Sequence, residues 1–158
     1  MRTPIVALAA FATLSCTTVG EAVPADREAA FDRVLEKQIA AITARDLDAL
    51  LETVTTGDDL LLIFPNGGMT RTRTEYVDFH REWFADPNWT MPFEPISKQV
   101  EGSYGHALYR VRFDADGPDG PAPAGQSLVS LGFRLENGEW RLVHDQNTRV
   151  PPPEPVAE

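Results

Sequence analysis

The sequence predicts an α+β domain shaped as a cone, with a curved antiparallel or mixed sheet wrapped around N-terminal helices. Three observations carry that expectation. An amphipathic helical stripe runs through residues 31–42, the last third of the chain alternates apolar and polar residues at strand spacing, and Asn137-Gly138 supplies a hairpin turn between the last two strands. The order that results is helix, helix, two short strands, helix, then four strands largely in hairpins. A sheet covered on one face by helices is the economical way to bury such stripes.

Each element follows from its local pattern. Phe31, Val34, Leu35, Gln38, Ile39 and Ile42 recur at three-and-four spacing and face a core, while Arg27, Asp32, Arg33, Glu36 and Lys37 take the other side. Asp46 caps a second, short helix with Leu47, Leu50, Leu51 and Val54 inward, and Gly57-Asp58-Asp59 breaks it. Leu60 to Phe64 reads as a short strand, Pro65-Asn66-Gly67-Gly68 as a turn, and Met69 to Arg71 as a second strand. Thr72-x-x-Glu75 is a capping box for a third helix. Its Tyr76, Val77, Phe79, His80, Trp83 and Phe84 share one face, and Asp86-Pro87 ends it. Strands then cover Phe93 to Glu101, His106 to Phe113, Ser127 to Leu135 and Trp140 to Arg149, with a Gly/Pro/Asp loop over Asp114 to Gly125.

The ends read differently from this domain, which spans residues 27–150. Met1-Arg2, the apolar run Pro4 to Leu14 and the string Thr13-Leu14-Ser15-Cys16 resemble a bacterial lipoprotein leader. The run falls short of the roughly 20 residues a bilayer-spanning helix needs. The resemblance implies a signal peptide over residues 1–16 ending at a lipidated Cys16, a tether over 17–26, and a place on the periplasmic face of the cell envelope. Thr17 rather than an aspartate after the cysteine implies the outer membrane. An ordinary secreted protein cut after Ala25 is the alternative. With one cysteine, the chain can form neither an intrachain disulfide nor a cysteine metal site. Residues 151–158, led by Pro151-Pro152-Pro153, form a stiff tail. The formal net charge of -10 and the lack of any Lys/Arg run exclude nucleic acid as a partner, and the membrane is met only through the lipid anchor.

Two stretches resemble the SnoaL-like branch of the nuclear transport factor 2-like superfamily. Residues 137–147, Asn-Gly-Glu-Trp-Arg-Leu-Val-His-Asp-Gln-Asn, are similar to its closing strand, and Gly67-Gly68-Met69-Thr70-Arg71 followed by an aromatic-striped helix is similar to its middle. The resemblance implies the cone shared by ketosteroid isomerase, limonene epoxide hydrolase, scytalone dehydratase and the kinase II association domain. It is greatest for the uncharacterised branch, whose members often end in Trp-x-x-x-His-Asp. On activity it is nearly silent, because the fold hosts enzymes, binders and assembly modules. Many relatives carry a second histidine where this chain has Gln146.

Strand alternation puts Trp140, Leu142, His144 and Gln146 on one face, turning polar toward a cavity mouth, and puts Asp145 opposite unless a bulge intervenes. His80 lies between Tyr76 and Trp83 on the third helix's stripe. Candidate catalytic groups are therefore His144, His80 and Asp59, the last a carboxylate just before the first strand, with Tyr76 or Tyr109 as proton donor. Tyr76, Trp83, Tyr109, Trp140 and Gln146 are the expected ligand contacts. Structural roles compete with these: buried histidines tying sheet to helix, and a solvated Gly57-Asp58-Asp59 turn. Asp114-x-Asp116-Gly117 lacks the downstream glutamate of a calcium loop. With no Ser-His-Asp set, zinc-protease helix or dinucleotide fingerprint, no metal and no cofactor are expected. Three functions remain: binding a small apolar or amphipathic molecule, a proton-transfer enzyme (isomerase, dehydratase or hydrolase), and assembly as a homodimer. A histidine bonded to a carboxylate or tyrosine favours the enzyme, and an aromatic pocket without such a pair favours the binder.

Overall fold

Helix α1 (Ala25–Ala44) carries the expected stripe, with Phe31, Leu35, Gln38 and Ile42 buried on one side. The computed structural model describes residues 25–117, 120–121 and 125–151. The leader with Cys16, all but the end of the tether, and the tail beyond Pro151 lie outside the described residues. Arg45, in the left-handed region at φ 56°, ends α1, and Asp46 caps α2 (Leu47–Leu51) by accepting from the Ala49 amide at 3.0 Å. Helix α3 (Arg73–Ala85) starts as its capping box predicts, with Thr72 Oγ1 accepting from the Glu75 amide at 3.2 Å. The return bond lands one residue further out than the motif's usual one: the Glu75 carboxylate accepts from the Arg71 amide at 2.7 Å. Among the described residues no helix is long and apolar enough to cross a membrane.

The strands are β1 (Asp59–Ile63), β2 (Met69–Thr72), β3 (Trp89–Thr90), β4 (Phe93–Glu101), β5 (Tyr104–Gly117), β6 (Gly120–Pro121), β7 (Gly125–Glu136) and β8 (Glu139–Val150). They form one mixed sheet in the order β2-β1-β8-β7-β5, with β3, β4 and β6 pairing along β5. The β1–β8 pair is parallel and the other pairs are antiparallel. The sheet curls into a half-barrel around the helices, which is the expected α+β cone. Strand β5 outruns its expected end at Phe113, because Asp114 and Ala115 pair with Thr90 and Trp89. The short strands β3 and β6 carry no sequence pattern of their own.

At the closed end of the cone, α1 meets the sheet through Phe31, whose ring lies 5.4 Å from Phe133 and 5.1 Å from Trp140 in edge contacts. Gly105 makes this approach possible, since a Cβ there would stand 2.5 Å from the Phe31 ring. Each such buried apolar side chain contributes about 1.5–3 kcal/mol.

One irregularity decides what faces inward at the open end. Along β7 and β8, Phe133 pairs with Leu142 and Gly132 with His144, so Val143 is an extra residue on β8. Leu142 and Asp145 are both buried, three positions apart instead of two. The bulge thus reverses the alternation expected for the rest of the strand.

Candidate functional site

Between the mouth of the half-barrel and α3 lies a cavity of about 240 Å³, the volume of roughly eight water molecules in the liquid. Its walls are apolar. Ile42 comes from α1, Leu62 from β1, Val111 from β5, and Val129 and Leu131 from β7. Five aromatic rings complete it: Phe64, Phe79, Trp83, Phe93 and Phe113. Behind them Trp83 stacks on Trp89 at 4.4 Å, and the Arg45 guanidinium caps Trp89 at 4.3 Å from its centroid.

The polar side chains in the cavity lining are His80, Ser127, Asp145 and Asn147. His80 is placed by the 3.6-residue period of α3, one turn after Tyr76, and its Nδ1 lies 2.8 Å from the Tyr76 carbonyl oxygen. A carbonyl only accepts, so Nδ1 carries the proton and Nε2 is left with a free lone pair. Burial pushes the His80 imidazole down to about 4, so the ring is neutral at neutral pH. Asp145 is placed by the bulge. Burial pushes its carboxyl up to about 7, against the lowering effect of the bond from Asn147 Nδ2 at 3.0 Å. In water the carboxyl loses its proton at lower pH than the imidazole does; here the order of the two is inverted.

Beneath the cavity floor lies a second polar layer. Tyr76 is fully buried, and its hydroxyl is held well above the usual phenol range by burial first and by the neighbouring Asp145 second. Among the described residues that hydroxyl has no well-formed hydrogen bond, and neither does the Gln38 amide nitrogen, although the two groups are close enough for the amide to temper the rise. Gln38 takes a bond from Thr53 Oγ1 at its other end. Among the described residues no three His, Cys, Asp or Glu side chains gather as a metal site.

The family model described as SnoaL-like domain matches residues 32–150, most of the chain. The chain belongs to the SnoaL-like family. No curated protein matches it. Solved structures agree with its fold. A ketosteroid isomerase-like protein from Erwinia carotovora atroseptica superposes with a TM-score of 0.67 at 15% identity, over 82% of this chain and 100% of the other. A nuclear transport factor 2-like protein of unknown function from Shewanella oneidensis gives 0.59 at 16% identity, over 77% and 98%. The association domain of CaMKII from C. elegans gives 0.59 at 18% identity, over 78% and 95%.

Of the residues singled out from the sequence, this SnoaL-like domain brings His80 and Trp83 to the cavity and sets Tyr76 directly beneath it. The others lie elsewhere. His144 and Gln146 sit on the outer sheet face, because the extra Val143 turns them away from the cone and turns Asp145 and Asn147 in. Trp140 is consumed by the closed end of the core, where its Nε1 donates to the Arg27 carbonyl at 3.1 Å. Tyr109 lines an open groove between α1 and β4. Asp59 is exposed at the start of β1, beside Arg71 and Arg134 on the surface. Asp145 and Asn147 were missed. The signal was Val143, an apolar residue directly after Leu142 that breaks the alternation where a bulge would fall.

Proposed function

We propose that the cavity binds a small, mostly apolar molecule whose polar end reaches His80, Asp145 and Asn147. One observation supports this above others: an aromatic and aliphatic hollow of about 240 Å³ with a few polar side chains in its lining. Among the described residues His80 bonds to no carboxyl or hydroxyl, so nothing already closes the site as a relay. Native mass spectrometry of protein purified from its own cells is the test. A small mass that co-purifies with the wild type and is lost from the Val111→Phe plus Val129→Phe variant is expected, since both side chains grow into the hollow. A filled variant that still carries the molecule sinks the reading.

A second reading, proton-transfer catalysis, is favoured by the inverted pair. At neutral pH an unprotonated imidazole faces the same hollow as a carboxyl that still holds much of its proton, which are the states a base and an acid need. Hydrogen exchange next to the carbonyl of a small cyclic ketone in heavy water, followed by NMR, is expected to be faster with wild type than with His80→Asn. Equal rates remove this reading.

Two further expectations stand as proposals. Export with a lipid on Cys16 predicts palmitate incorporation that Cys16→Ser abolishes. Pairing of two copies through the outer sheet face, where Met69 and Tyr104 are exposed, predicts a dimer by light scattering that Tyr104→Glu splits.

A further inference from the structure

With Asp145 ionised, the polar side chains lining the cavity are rich in hydrogen-bond acceptors and poor in donors. His80 spends its one N–H on the Tyr76 carbonyl and offers the Nε2 lone pair. Asn147 Nδ2 donates to Asp145 Oδ1 at 3.0 Å and to the Ile63 carbonyl at 3.4 Å; both partners are acceptors, so the amide orientation is fixed and its oxygen is the free atom. Asp145 Oδ2 has no partner among the described residues. The Ser127 hydroxyl, also in the lining, can both give and accept. Among the described residues no lysine or arginine lines the hollow, while five aromatic rings do. A buried carboxylate without a counter-ion is costly, and a cation carried in by a ligand offsets that cost.

We propose that the molecule held in the cavity carries an ammonium group, seated among Asp145 Oδ2, Asn147 Oδ1 and His80 Nε2, with an apolar body about the size of one aromatic ring against Phe79 and Trp83. The inference rests on the binding reading above and names the ligand class within it. An ammonium brings up to three donors and a full charge to three acceptors. A neutral alcohol brings one donor, and a carboxylate sets lone pairs against lone pairs. The rings add cation–π attraction, and the net charge of -10 draws cations toward the chain.

Phenethylamine, phenethyl alcohol and hydrocinnamate share one ring and differ in head group, so calorimetric titration of the full chain at about pH 8 separates the cases. The amine is expected to bind at least about tenfold tighter than the alcohol, with hydrocinnamate weakest. Asp145→Asn is expected to lower amine affinity at least about tenfold and to remove the amine's lead over the alcohol. Amine binding no tighter than alcohol binding overturns the ammonium assignment and leaves the apolar cavity standing. Silence from all three probes removes both. Should the variant fail to fold, the wild type decides. Between about pH 8 and pH 5 Asp145 gains its proton while His80 stays largely neutral and Tyr76 un-ionised, so the preference for amine over alcohol should shrink about tenfold or more. A preference that does not change with pH also overturns the assignment.

Discussion

Replacing Asp145 by asparagine should expose a hidden pH dependence of stability. In the folded chain His80 becomes protonated only near about 4 instead of 6.5, and Asp145 releases its proton only near about 7 instead of 3.8. Between about pH 4 and pH 6.5, then, the unfolded chain binds a proton at His80 that the folded chain does not, and this makes stability rise with pH. Over the same window the folded chain holds a proton at Asp145 that the unfolded chain has released, and this makes stability fall with pH. At roughly 1.4 kcal/mol per pH unit each contribution is on the order of 3 kcal/mol, with opposite signs, so the two nearly cancel in the wild type. Asp145→Asn removes one of them. Relative to wild type the variant should gain on the order of 3 kcal/mol between about pH 4 and pH 6.5, and His80→Asn should lose a similar amount. Urea titrations followed by tryptophan fluorescence at a series of pH values measure this directly, and taking differences cancels every other group the proteins share. Variant and wild-type curves separated by a constant would falsify the burial argument for both residues.

Two glycines on opposite faces of the sheet should respond differently to the same change. Gly105→Ala drives a Cβ to 2.5 Å from Phe31, which is locked between Phe133 and Trp140, so a loss of about 1–3 kcal/mol is expected in chemical denaturation. Gly132→Ala meets the Tyr104 hydroxyl at 2.7 Å and the His144 Cβ at 3.2 Å; Tyr104 is 48% exposed and can swing out, and only a small shift is needed at His144, so the cost should stay below about 1 kcal/mol. Equal losses at the two positions would mean that Phe31 yields as freely as Tyr104. Thr72→Ala should cost about 1 kcal/mol by leaving the Glu75 amide uncapped, read as a lower Tm, and Thr72→Ser should restore most of it.

The fold was legible because its signals are local and redundant. The α1 stripe, the Asp46 and Thr72 caps and the Asn137-Gly138 hairpin each act within a few residues, and each recurs in the structure. His80 and Trp83 were legible for the same reason, since a helix holds its 3.6-residue period without reference to its neighbours. The strand-borne half of the site was not. Facing along a strand has period two, so one inserted residue reverses everything after it. Val143 does this to β8, exchanging His144 and Gln146 for Asp145 and Asn147. Trp140, which lies before the bulge, kept its inward face; it met the wrong end of the cone because depth along the axis depends on where α1 crosses the sheet, which the pattern does not encode.

The character of the site follows from how its donors are spent. The Tyr76 carbonyl, one helical turn before His80, takes the imidazole proton, and the carbonyl of Ile63, the last residue of β1, takes the Asn147 amide. Both carbonyls belong to backbone that would exist whatever the cavity held. Backbone carbonyls thus occupy the His80 and Asn147 hydrogens, and once Asp145 is ionised these side chains are left mainly with oxygen and nitrogen lone pairs. Among the described residues no lysine or arginine lines the hollow to balance Asp145, so burial lets the carboxyl hold its proton up to about pH 7, and the proposed ammonium would bring hydrogens and positive charge together. The same burial therefore underlies both the raised carboxyl and the chemistry it selects, and a measurement on either one bears on the other.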